Sequence, residues 1–145
     1  MAIVRDGGGW DRYAAAVHEA GHVVVAHAIN PKNVLTAVVY DQPDRDGIGG
    51  YFDGVFYGSR FELAVVYLAG VEATRLVLGV TDGGVDDIAD ARRVLLWPAR
   101  SLTGARRRAD ELVAAHEREI RGEAARLAGR REPDRSRRSR SARAR

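Results

Sequence analysis

The sequence predicts a mainly α-helical domain with a small β-sheet or hairpin, and three observations carry that prediction. Four segments space apolar residues at helical intervals between recognisable caps, one short run is dense in β-branched residues, and the stretch after it is punctuated by glycine. Residues 11–29 read as a helix that Asp11 caps, that Tyr13, Val17, Val24 and Val25 supply with apolar surface, and that Asn30-Pro31 ends. Residues 34–40, Val-Leu-Thr-Ala-Val-Val-Tyr, suit a strand. Residues 41–47 hold Pro, Asp and Gly and form a turn; residues 48–57, with glycines at 49, 50 and 54, suit a second, irregular strand antiparallel to the first.

Ser59 and Glu62 make a capping-box pattern and Gly79 stands where a helix would stop, so residues 60–78 form the next helix. Apolar residues almost surround it, which marks it as the central core helix, expected against both the first helix and the sheet. Residues 81–85 form a loop, and Asp86-Asp87-Ile88 opens a helix that ends near Trp97-Pro98. Acidic residues in a first turn are expected from the helix dipole alone. Residues 101–127 read as one amphipathic helix with Leu112, His116, Ile120, Ala124 and Leu127 on its stripe, docking on the domain or on a partner.

A chain of 145 residues with 46% hydrophobic content supports one domain with its own core. Its organisation reads as a flexible lead-in at residues 1–10 containing Gly7-Gly8-Gly9, a folded body at 11–128, and a disordered Arg/Ser-rich tail at 129–145. Net charge is +3 but unevenly placed: residues 130–145 carry +6, leaving 15 basic against 18 acidic residues, or −3, in the rest. Such a tail could neutralise phosphates without reading sequence, and having no aromatic residue it offers no base stacking. Residues 1–10 lack the apolar core of a signal peptide, so the expected location is cytoplasmic. The most apolar window, residues 61–80, is interrupted by Glu62, Glu72 and Arg75; its longest uncharged run, nine residues, is too short for a membrane span. There is no cysteine, which excludes disulfides, a thiol nucleophile and thiolate metal ligands, and leaves histidine and carboxylates as the strong donors.

The most informative stretch is His18-Glu19-Ala20-Gly21-His22, an H-E-x-x-H pattern. Four residues of helix advance about 400°, so His18 and His22 lie one above the other and can hold one Zn2+ ion. Glu19 beside them can take a proton from a zinc-activated water and pass it to the leaving group. A third protein ligand is required. The residues themselves leave several candidates open: His27, which is turned away from the ligand face, His116 on the late helix, Glu72, and the pair Asp86 and Asp87 at a helix start.

The wider pattern resembles the peptidase domain of the FtsH-type zinc metalloprotease family. The likeness spans about residues 10–100: His18-Glu-Ala-Gly-His22, then Leu68-Ala69-Gly70-x-x-Ala73-x-x-Leu76-x-x-Gly79, then Gly83-Gly84-x-Asp86-Asp87-Ile88. The resemblance implies a zincin-like helical peptidase domain, Asp87 as third zinc ligand, Glu19 as catalytic base, and Gly49-Gly50-Tyr51 as counterpart of the strand that holds extended substrate. It implies hydrolysis of unfolded or flexible polypeptides. The family's ATPase is not matched, since no G-x-x-x-x-G-K-[ST] loop occurs, so unfolding would fall to a separate ATPase, and either that ATPase or a second copy of the chain is a candidate partner. Where the family has an acidic pair after its helix motif, this chain has Thr74-Arg75, and a cation there would be expected to weaken zinc binding or activity. The alternative reading is a non-enzymatic zinc-binding or polyanion-binding module that acts through the Arg-rich tail.

Overall fold

The computed structural model describes residues 11–45, 49–80, 84–96 and 99–129. Along them run α1 (Arg12–Ile29), β1 (Thr36–Val39), β2 (Gly50–Asp53), α2 (Arg60–Leu78), α3 (Val85–Leu95), α4 (Ala99–Ala115) and α5 (Glu117–Gly129). The fold is mainly helical with a small antiparallel sheet, pairing Val38 with Tyr51 and Val39 with Gly50. The expected lead-in at 1–10, the basic tail at 130–145 and the helix end at Trp97-Pro98 lie outside the described residues; α5 itself runs through Gly129.

Asp11 caps α1 by accepting from the Ala14 N–H at 3.0 Å, a bond worth about 1 kcal/mol. The middle of α1 is made of small residues, and Ala14, Ala15, Ala16, Ala20 and Gly21 are all buried. This lets α2 cross very near. A methyl group on Gly21 would stand 2.6 Å from the Ala69 carbonyl oxygen and 2.8 Å from the Ala73 Cβ, so any side chain there would push the two helices apart. At the start of α2 the capping box is complete: Ser59 Oγ accepts from the Glu62 N–H at 3.1 Å, and Glu62 Oε1 accepts from the Ser59 N–H at 2.9 Å. The helix ends at Gly79, whose φ of 66° is left-handed and suits a residue without Cβ.

Two sequence expectations are corrected. The sheet rests on α1, not on α2; α2 packs on α1, α3 and α4 and reaches the sheet through Tyr67, whose ring lies 5.8 Å from that of Phe52. The amphipathic segment 101–127 is two helices, broken at His116. The break lets α4 follow α2 while α5 turns to cover α1. Ile120, Ala124 and Leu127 seal that second contact, and Arg12 donates to the Ala128 carbonyl at its end. Truncating the fully buried Ile120 to Ala would cost about 2–5 kcal/mol.

Asn33 fixes the hairpin against the helices from inside the core. Its Nδ2 donates to the carbonyls of Ala26 at 2.9 Å and Tyr57 at 3.1 Å, and its Oδ1 accepts from the Tyr57 N–H at 2.6 Å. A fully buried amide with these partners joins the end of α1 to the segment entering α2 and holds β2 between them. Among the described residues no helix is long and apolar enough to cross a membrane.

Candidate metal centre

His18 and His22 lie mid-helix on the buried side of α1, 3% and 1% exposed. Their rings stand edge to face at 4.8 Å, as the i, i+4 spacing requires. His22 is oriented from behind: its Nδ1 lies 2.7 Å from the Val66 carbonyl on α2. A carbonyl can only accept, so Nδ1 carries the hydrogen and Nε2 is turned to the site, the usual arrangement for a metal-binding imidazole. Phe52 from β2 packs on the same ring, with centroids 4.3 Å apart.

The third group comes from α3. Gly84 caps that helix with φ 76° and lies so near α2 that a Cβ there would overlap Val71 Cγ2 at 2.0 Å. Only glycine permits this approach, and it sets Asp87 one turn later over the histidines. Asp87 Oδ2 is 2.6 Å from His18 Nε2 and 3.4 Å from His22 Nε2. One ligand atom from each of the three residues lies within 4.8 Å of the others, and they are the one such group among the described residues. Tetrahedral zinc bonds of 2.0–2.2 Å place donors about 3.4 Å apart. The His22–Asp87 pair stands at that spacing, and the His18–Asp87 pair is closed into a direct hydrogen bond that an ion would open.

Two further features suit an ion at this point. Gly70 on α2 faces both ligand atoms: a methyl group on it would sit 2.6 Å from the Nε2 of each histidine. Glu19, 5% exposed, keeps Oε2 without a hydrogen-bond partner among the described residues. Burial raises its pKa, against the pull of His22 and His18. Burial also opposes the charge on Asp87, but His22 and the hydrogen bond from His18 outweigh it and hold that carboxyl far below the usual range.

These side chains line one cleft of about 420 Å³ with Gly50, Tyr51, Phe52 and Tyr67. Of the strand expected to hold substrate, Gly50 and Tyr51 are thus at the site, and Gly50 packs against the Glu19 side chain. Gly49 instead closes the hairpin, its carbonyl accepting from the Tyr40 N–H at 2.8 Å. Glu72 is not brought to the centre. It is buried beneath α4, accepting from Arg75 at 2.7 Å and from Arg106 at 2.9 Å, and Arg75 also pairs with Asp110, so the two arginines together balance the two carboxylates. His27 and His116 line a separate cleft between α1 and α5 with Val23 and Val24.

Phe52, Val66 and Gly70 were not singled out for the centre from sequence, although a glycine inside a helix costs about 1 kcal/mol relative to Ala and so signals a close contact. Comparison of the chain with protein-family models and with curated proteins gives no match.

Proposed function

We propose that the protein is a zinc-dependent metalloendopeptidase that hydrolyses unfolded or flexible polypeptides, with a zincin-like helical domain resembling the peptidase domain of FtsH-type proteases. The observation that carries this reading is the convergence of His18, His22 and Asp87 on one open cleft, beside a buried Glu19 whose Oε2 has no partner among the described residues. Two imidazoles and one carboxylate are a donor set that suits zinc and leaves a coordination position open. A bound zinc ion supplies Lewis acidity there, polarising a scissile carbonyl and acidifying water.

The chain's own groups supply the rest. Val66 and Phe52 hold the His22 ring in place. Glu19 is the proton acceptor, and the burial that raises its pKa makes it a stronger base than an exposed carboxylate and a competent donor to the departing amine. Gly50, having no side chain, lets β2 lie directly against Glu19, and β2 offers an edge along which an extended peptide can lie. The substrate must arrive flexible or be unfolded by a separate ATPase. The test is cleavage of an unfolded casein-like protein by the zinc-loaded full chain, abolished by a chelator and restored by zinc; absence of cleavage at full zinc occupancy rejects the reading.

A further inference from the structure

The cleft carries more negative charge than its metal centre uses. Asp53 at the end of β2 and Asp86 and Asp90 on α3 line it together with Asp87 and Glu19, and among the described residues no lysine or arginine lines it. That is notable in a chain of 23 basic and 20 acidic residues. Asp86 and Asp90 are one helical turn apart and project from the same face of α3. Arg93 meets Asp90 at 2.7 Å, but its side chain is 75% exposed, and such a surface pair yields readily to another cation. A divalent ion at the centre would balance Asp87 and Glu19 and, with Arg93 on Asp90, leave Asp53 and Asp86 in surplus.

Those aspartates are not a second ion site, since the described residues bring ligand atoms together only at His18, His22 and Asp87. Carboxylates spread around an opening suit an elongated ligand with charge at side-chain reach. The same cleft holds the buried Glu19 Oε2 that has no hydrogen-bond partner among the described residues, and the rings of Tyr51 and Tyr67 lie along it. Aromatic faces beside carboxylates are a favourable setting for guanidinium and ammonium groups.

We propose that this cleft selects cationic polypeptides, taking a Lys or Arg side chain of an extended substrate between Asp53 on β2 and the Asp86/Asp90 face of α3. The proposal rests on the peptidase reading for the fate of the bound polypeptide, and recognition itself can be measured apart from hydrolysis.

The experiment uses zinc-loaded full-length Glu19→Gln protein and short fluorescent peptides identical except for a central Arg, citrulline or Glu, with binding read by anisotropy. Arg should bind about 10-fold tighter than citrulline at about 50 mM salt, with Glu weakest, and the preference should shrink toward unity at about 500 mM. Asp86→Asn with Asp90→Asn, in protein of unchanged circular dichroism, should remove most of it, and adding Asp53→Asn the remainder. Equal or undetectable binding of all three peptides, or a preference that survives the triple substitution, overturns the proposal. Wild-type cleavage of the same peptides separates the two ideas: selective binding with no cleavage sinks the peptidase and supports the cationic cleft, and indiscriminate cleavage does the reverse.

Discussion

Asp87 Oδ2 lies 2.6 Å from His18 Nε2, a contact between groups 69 residues apart that draws the first turn of α3 onto the middle of α1. The proposed ion would replace this hydrogen bond with two metal–ligand bonds. One zinc per chain is therefore expected in the wild type, and His22→Ala or Asp87→Ala should weaken zinc affinity by more than about 100-fold, while Glu19→Gln keeps it. Metal analysis after dialysis reads this directly. Full zinc retention by Asp87→Ala would remove that residue from the set.

The proximity of Asp87 to His22 fixes a pH dependence. In protein stripped of metal, burial works against charge on His22, yet the attraction and hydrogen bond of Asp87, with Glu19 behind, leave its pKa above the ordinary 6.5. Its contribution to stability is fully present below about pH 6.5 and is lost as pH rises through the raised folded-state value. Asp87, lowered from 3.8, contributes above about pH 3.8 and loses that contribution only in strong acid. Metal-free protein should thus melt at a higher temperature at about pH 5.5 than at about pH 8. Zinc requires deprotonated imidazole, so with the metal the order should reverse. An identical trend in both forms, measured by calorimetry, would contradict this assignment.

Glu19→Gln should retain fold and zinc and lower peptide cleavage by about 10²–10⁴-fold, because an amide cannot accept the proton. The comparison is of initial rates at equal zinc occupancy. A variant with near wild-type rates would show that Glu19 is not the base.

Gly70 supplies a steric test. Gly70→Ala puts a methyl group 2.6 Å from both Nε2 atoms and should reduce zinc affinity by more than about 10-fold, although alanine favours a helix. Gly122→Ala on α5, with nothing within 4 Å, is the control and should stabilise the protein by about 0.5–1 kcal/mol with zinc unchanged. Equal zinc binding by both variants would mean that the centre has slack at Gly70.

Glu72 separates stability from chemistry. Its carboxylate is 2% exposed and its partners Arg75 and Arg106 are half in water. Removing both arginines leaves a buried charge unpaired and should cost about 3–5 kcal/mol, whereas Glu72→Gln frees cations that water can solvate and should cost about half as much. Denaturant melts of the two variants give the ranking, and neither substitution is expected to change zinc content.

Legibility in the sequence tracks the range of the interactions. Asp11, the Ser59–Glu62 box and Gly79 act within a turn of their own helices, so α1 and α2 were legible to within a residue or so at their ends. His18 and His22 were legible because their geometry is internal to one helix. Asp87 could be separated from Asp86 and Glu72 only through resemblance, since its place depends on Gly84 meeting Val71 across two helices. The break at His116 was hidden for a related reason: the stripe from Leu112 to Leu127 is continuous in sequence, and the change of partner from α2 to α1 is a tertiary event. Phe52 on His22 and Arg106 on Glu72 likewise rest on contacts that spacing does not encode.

The proposed metal ligands are two imidazole nitrogens and a carboxylate oxygen. Zinc held by thiolates is released when those sulfurs are oxidised to sulfenate or disulfide. No such route exists here, because the chain has no cysteine and Met1 is its sole methionine. The centre should therefore keep its ion under peroxide concentrations that strip a four-cysteine site, and the hydrolysis proposed for it would continue in a cell whose thiol proteins have stopped working.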